Sequence, residues 1–184
     1  LHSALGVGVP TLKKDFGKVF NKKGDLRNLQ VLIIDEASML SAEFFEHMEG
    51  ALRTVRDRKE AAGGLQLIVC GDFHQLPPIC KEQWKAGMTI DLFLNWGWLF
   101  QAPAWRRCKF EHVLLTKVYR QKDQEFVDLL DNIRYNRNTP AAIKVLRENC
   151  SRPLPVQEGI RATQLFARNA DVDTVNTREL AALL

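Results

Sequence analysis

The sequence has no C-x-x-C pair among its four cysteines, which stand at 70, 80, 108 and 150, and so no combined Cys and His pattern suited to zinc. This excludes a zinc ribbon and leaves reduced packing thiols as the expectation. No stretch approaches the roughly 18 consecutive apolar residues that span a bilayer, and no charged-then-apolar leader opens the chain. The expected protein is soluble, has no membrane partner and is not secreted. Neither sign of charge dominates, since 26 Lys and Arg against 22 Asp and Glu give a net charge of +4. A phosphate-binding surface must therefore come from a local cluster and not from a global field. Internal repeats and low-complexity tracts are also missing, which excludes solenoids and compositional tails. What is there, 184 residues with 46% hydrophobic content, can bury the core of one domain or parts of two.

The most informative segment is Val31-Leu32-Ile33-Ile34-Asp35-Glu36, an apolar β-branched run closed by two carboxylates. Such a run reads as a buried parallel strand, and in open α/β sheets ligands sit beyond the carboxyl ends of the strands. Asp35 would hold Mg²⁺, directly or through water, while Glu36 would polarise the water that attacks a γ-phosphate. Taken alone, the pattern serves equally as a strand end that caps the next helix. A second strand-and-loop, Leu65-Gln66-Leu67-Ile68-Val69-Cys70-Gly71-Asp72-Phe73-His74-Gln75-Leu76-Pro77-Pro78, lies about forty residues on. Gly71 permits a sharp turn, and Pro77-Pro78 fix the loop's exit without backbone donors. Between them Gln75 carries an amide that can donate to a phosphate oxygen and accept from water, as a nucleotide sensor must. The alternative is a solvated loop glutamine.

These two segments resemble motifs II and III of superfamily 1 helicases, and more closely those of the Pif (petite integration frequency) family of DNA helicases, relatives of the RecD group. The likeness runs along nearly the whole chain. Leu1-His2-Ser3-Ala4-Leu5-Gly6-Val7-Gly8 is similar to motif Ia, which contacts single-stranded DNA. The stretch from Phe44 to Gln66 is similar to the signature that separates Pif helicases from RecD-like cousins. Leu114-Leu115-Thr116-Lys117-Val118-Tyr119-Arg120-Gln121 resembles motif IV, and Thr163 to Asn169 the strand and helix that follow. The resemblance implies a RecA-like α/β P-loop NTPase with a mainly parallel sheet and helices on both faces. Residues 1–112 would form most of the first RecA-like domain, with 11–30 a small basic insert, and 113–184 the start of the second. It implies ATP and Mg²⁺ as ligands, with Asp35 the metal residue and Glu36, Gln75 and Arg120 catalytic. The partners would be single-stranded DNA and duplex junctions, met by His2, Ser3, Lys13 and Lys14. Family members work in the nucleus, in mitochondria and in bacteria, so the compartment expected is nuclear or mitochondrial in a eukaryote and cytoplasmic otherwise.

Arg120 has a physical logic of its own. A loose phosphoryl-transfer transition state spreads negative charge that a fixed guanidinium meets with paired donors. The alternative is a surface salt bridge to Asp123 or Glu125. Lys13, Lys14, Lys18, Lys22, Lys23 and Arg27 form the one basic cluster, read either as a DNA-backbone contact or as a solvated face. The tryptophans at 84, 96, 98 and 105 serve either to stack bases or to pin a long loop by burial.

No G-x-x-x-x-G-K-[ST] loop occurs in the 184 residues. The chain as given is therefore expected not to hydrolyse ATP alone, and the expectation is a fragment of an ATP-dependent 5′ to 3′ DNA helicase. The competing expectation is a helicase-derived, non-enzymatic scaffold or nucleic-acid-binding subunit of a larger particle. Strands are expected near 31–35, 65–70, 110–115 and 163–167. Helices are expected to be capped by Ser41 and Asp123 and opened by Pro140.

Overall fold

The structure, a computed structural model, describes residues 1–6, 13–79, 96–137, 139–150 and 163–181. Its elements in chain order are α1 (His2–Leu5), a 3-10 segment (Lys13–Lys22), α2 (Lys23–Asn28), β1 (Val31–Ile34), α3 (Ala42–Arg56), β2 (Gln66–Val69), α4 (Pro103–Cys108), α5 (Gln124–Arg134), α6 (Pro140–Cys150) and α7 (Asn169–Ala181). They divide into two compact units, Leu1–Tyr135 and Asn136–Leu184. The domain boundary expected near residue 112 falls inside the first of these.

The expected parallel pairing is present: β1 runs alongside β2, with Val31 opposite Gln66 and Ile34 opposite Val69. Burial on both faces is not. Leu32 and Ile34 join the core, whereas Val31 and Ile33 on the other face are 38% and 63% exposed. Among the described residues the core lies on one side of the pair, where Leu32 and Ile34 cluster with Phe44, Phe45, Met48, Leu52 and Val55 of α3. The strands expected near 110–115 and 163–167 do not form among the described residues. A strand exists only when a neighbour supplies ladder partners, and here Val113, Leu114, Leu115 and Leu165 are each at least 80% exposed.

Helix α3 is built as its spacing predicts. Ser41 Oγ accepts from the Phe44 amide at 3.1 Å, satisfying one of the open amides of the first turn. Two further amides of that turn, Ala42 and Glu43, donate to the carbonyls of Gly97 and Trp96, which anchors the segment from 96 onward. Phe44, Phe45, Met48, Leu52 and Val55 are buried almost completely, each contributing about 1.5 to 3 kcal/mol of transfer free energy. At the far end, Arg56 Nη1 donates to the Leu26 and Leu29 carbonyls closing α2, and Arg27 Nε donates at 2.9 Å to Val55 O closing α3. The two helix C-termini thus exchange arginines, each meeting the partial negative charge of the other. Helix α5 takes its cap from Asp123, which accepts from Phe126 N at 3.1 Å, and Pro140 opens α6. Of the apolar face expected on α5, only Leu129 is buried, and Phe126, Leu130 and Ile133 stay partly in solvent.

A carboxylate in the core holds α3 to α4. Glu49, fully buried, accepts from Ala62 N at 3.1 Å, from Arg107 Nη2 at 2.8 Å and from Arg53 Nε at 3.2 Å. Glu46 receives the Ala104 amide and shares Arg107. Removing Glu49 strands a buried amide and two cations, although both arginines reach solvent. Glu49→Ala is expected to destabilise the fold by about 3 kcal/mol, the low end for breaking a buried pair, read as a shift of the urea midpoint in the full-length protein. Burial and the charges of Glu49 and Glu46 also push the neighbouring Cys108 thiol up to about 11, with Arg107 offsetting part. Cys108 is thus the packing thiol expected, whereas Cys70 is exposed at the end of β2. Cys80 and the Cys150 side chain lie outside the described residues.

The tryptophans divide as well. Trp105 packs between Phe45 and Phe110, with ring centroids at 6.2 and 4.3 Å, so its role is burial. Trp98 stacks on Phe100 and meets the edge of Phe73. Trp96 is 48% exposed, and Trp84 lies outside the described residues.

Candidate active site

Two loops leave the carboxyl ends of β1 and β2 side by side. At the first, Asp35 and Glu36 both stand exposed, and Asp35 Oδ1 accepts the Glu36 amide at 2.9 Å. Neither carboxylate caps α3, whose cap is Ser41. Glu36 stands at the N-cap position of the 3-10 turn Ala37–Met39 but makes no side-chain hydrogen bond into it. Glu36 adopts a left-handed conformation, φ 53° and ψ 43°. For a residue other than glycine this costs on the order of 1 to 3 kcal/mol, a strain that the surrounding structure has to hold in place. What holds it is the return of the chain: Ala37 N donates to Cys70 O at 3.0 Å, and Cys70 N to Ile34 O at 2.8 Å.

Gly71 sits where those loops touch. A Cβ there would stand 2.8 Å from Ala37 N and 3.2 Å from Ser38 N. The expected reason for glycine was a sharp turn; the observed reason is a close backbone approach. Beyond it, Asp72 organises the loop. Its Oδ1 accepts from His74 N at 3.1 Å and from Arg134 Nη2 at 3.0 Å, its Oδ2 from Gln75 Nε2 at 3.1 Å, and its carbonyl from Gln75 N at 2.9 Å. Partial burial alone would raise the pKa of this carboxyl, but the His74 backbone amide, the Gln75 side-chain amide and the Arg134 guanidinium together hold it below the ordinary carboxylate value. Asp72 had no role assigned from the sequence, although a loop Asp can accept from the backbone amide two residues on, here His74 N, as an Asx-turn. Arg134, 62 residues away, carries no local signal.

The structure therefore brings Asp35, Glu36 and Gln75 to one end of the sheet. Arg120 is exposed, in a stretch without regular structure, and forms no ion pair with Asp123 or Glu125 among the described residues. The turn after it is ordered: Gln121 Oε1 accepts the amides of Lys122 and Asp123, which leads directly into α5. The basic cluster separates on inspection. Lys18 pairs with Asp15 and Lys22 lies 3.9 Å from Asp25, while Arg27 is spent on the end of α3. Lys14 and Lys23 remain exposed without an acidic partner among the described residues. His2 and Ser3 lie on α1 and Lys13 opens the 3-10 segment, but their side chains lie outside the described part of the structure.

For a metal, the described residues contain no cluster of three or more His, Cys, Asp or Glu. Mg²⁺ keeps several waters and takes one or two carboxylates together with substrate phosphates, so a single strand-end carboxylate is a sufficient protein ligand. Asp35 meets the requirement, since only one of its oxygens is engaged by Glu36 N and it forms no ion pair among the described residues.

A family model described as PIF1-like helicase matches residues 1–139. The chain belongs to the PIF1-like helicase family. It is 35% identical over its whole length to the ATP-dependent DNA helicase PIF1 of Emericella nidulans, of which it spans 24%. The crystal structure of Pif1 helicase from Candida albicans superposes with a TM-score of 0.82 at 30% identity, covering 98% of this chain and 39% of that one. Bacteroides Pif1 in complex with ADP-AlF3 and ssDNA superposes with a TM-score of 0.79 at 27% identity, covering 98% and 42%. The fold is thus the RecA-like α/β fold of the PIF1-like helicases. The chain spans about a quarter of the length of the curated relatives it matches.

Proposed function

We propose that this chain is part of an ATP-driven DNA helicase that moves 5′ to 3′ along single-stranded DNA and separates duplexes at junctions. The observation that supports the reading is that the loops bearing Asp35–Glu36 and Gln75 leave adjacent strand ends within a PIF1-like chain. Glu36 accepts the proton of the attacking water, and Gln75 offers its amide to the γ-phosphate. Arg120, exposed and without an acidic partner among the described residues, brings its guanidinium to the charge that develops on the transferring phosphoryl group. Asp35 would hold Mg²⁺, which supplies charge neutralisation on the phosphates when bound.

The sequence from 113 onward opens the second RecA-like domain, so that Arg120 reaches the nucleotide from across a cleft. Engagement of Gln75 and Arg120 by one phosphate closes that cleft, and its loss on hydrolysis lets it reopen. His2, Ser3, Lys13 and Lys14 meet the DNA backbone, which makes binding independent of sequence and steeply dependent on salt. The 184 residues contain no phosphate-cradling loop, so turnover belongs to the full-length protein. Support comes from the Bacteroides relative, whose structure contains both ADP-AlF3 and single-stranded DNA.

The test is ATP hydrolysis by the full-length protein with and without single-stranded DNA. The expected result is turnover that rises on DNA addition. Absence of turnover in an intact, folded protein overturns the motor and leaves a helicase-derived scaffold.

A further inference from the structure

Asp72 stands between the proposed sensor and a distant helix. Its carboxylate is shared: Oδ2 receives Gln75 Nε2 at 3.1 Å, and Oδ1 receives Arg134 Nη2 at 3.0 Å and His74 N at 3.1 Å. Arg134 is the last residue of α5, the helix whose capped start lies three residues after Arg120. As a partly exposed ion pair, Asp72 with Arg134 adds little to stability. Its geometry does something else.

We infer that Asp72 is a positioning residue that sets which end of the Gln75 carboxamide faces outward and ties that orientation, through Arg134, to the helix following Arg120. An ionised carboxylate only accepts, so the amide opposite it must present nitrogen. One Nε2 hydrogen is thereby fixed on Asp72, and the other hydrogen and Oε1 are left for a phosphate oxygen and a water. Asparagine at 72 would either give up the bonds to both His74 N and Arg134, which share Oδ1, or put a donor against that nitrogen. The Gln75 amide would then turn over and exchange its donor for its acceptor. Arg134 closes the arrangement from the other side, because a shift of α5 pulls on the oxygen atoms that hold Gln75. Sensing and finger are thus joined by one carboxylate.

This inference rests on the nucleotide-sensing reading of Gln75, and its test separates the two. In the full-length protein, kcat and KM for DNA-stimulated ATP hydrolysis are measured for Gln75→Ala, Asp72→Asn and the double variant. Asp72→Asn is expected to lower kcat by about ten- to a hundredfold, the scale on which a misplaced group acts, with a smaller change in KM. In the Gln75→Ala background the same substitution is expected to have almost no further effect, since Asp72 then has nothing to orient. Arg134→Ala, on an exposed helix end, should follow the same pattern, and Arg134→Lys should recover most of the rate. Wild-type kcat in Asp72→Asn, or an undiminished loss in the Gln75→Ala background, overturns the inference while leaving the sensor intact. Wild-type turnover in Gln75→Ala overturns the sensor reading and this inference with it.

Discussion

Arg120→Ala in the full-length protein is expected to lower DNA-stimulated ATP turnover by about 10³ to 10⁵, the range over which an arginine finger acts. The expectation follows from the place of Arg120 in the motif IV segment and from its exposure. It has no acidic partner among the described residues, and both acidic neighbours are otherwise placed, Asp123 as the cap of α5 and Glu125 within its first turn. A guanidinium committed to a surface pair would have to break it before reaching a phosphate. Steady-state kcat decides the matter, with nucleotide affinity measured alongside. If the loss appears in KM with kcat unchanged, Arg120 binds nucleotide in its ground state and does not stabilise the transition state. Arg120→Lys is expected to recover little, because an ammonium keeps the charge and loses the paired donors.

Glu36→Gln should reduce turnover by about 10² to 10⁴, the contribution of a positioned general base, and should leave binding of ATP and of single-stranded DNA near the wild-type level. The amide keeps the size of the side chain and discards its basicity. The left-handed backbone at 36 makes this the right substitution, since glutamine inherits the same strain and the turn is unaltered. Glu36→Gly, by contrast, would relieve strain and remove the base together, mixing two effects. A Glu36→Gln variant that turns over normally would assign the water elsewhere. One that loses nucleotide binding as well would make Glu36 part of the metal site shared with Asp35.

Much of this site was legible in the sequence because local rules write it. The apolar run before Asp35 pairs where expected, and Ser41, Asp123 and Pro140 open helices that begin where their side chains dictate. The unread parts all depend on groups far apart in the chain. No periodicity announces that Asp72 takes Arg134 from 62 residues away, or that Arg27, read as part of a basic patch, closes the end of α3. The strands expected at 110–115 and 163–167 failed for the same reason. Residues such as Val113 and Leu114 carry strand propensity, but the ladder partners are not among the described residues, and propensity without a partner leaves an exposed chain. At Gly71 the structure adds a reason that the sequence does not show, since a turn and a close approach ask for the same missing side chain.

That close approach has a mechanical meaning. The bend bearing the two acids and the loop bearing the amide meet main chain to main chain, with no room for even a methyl group between Gly71 and Ala37. Side chains absorb small displacements by changing rotamer, whereas packed backbones pass them on. A nudge at the amide therefore arrives at the acids undamped, as through a rigid linkage. If Gln75 meets the terminal phosphate and Glu36 the water, as proposed, the two act as parts of a single piece, with the strained residue at 36 inside it.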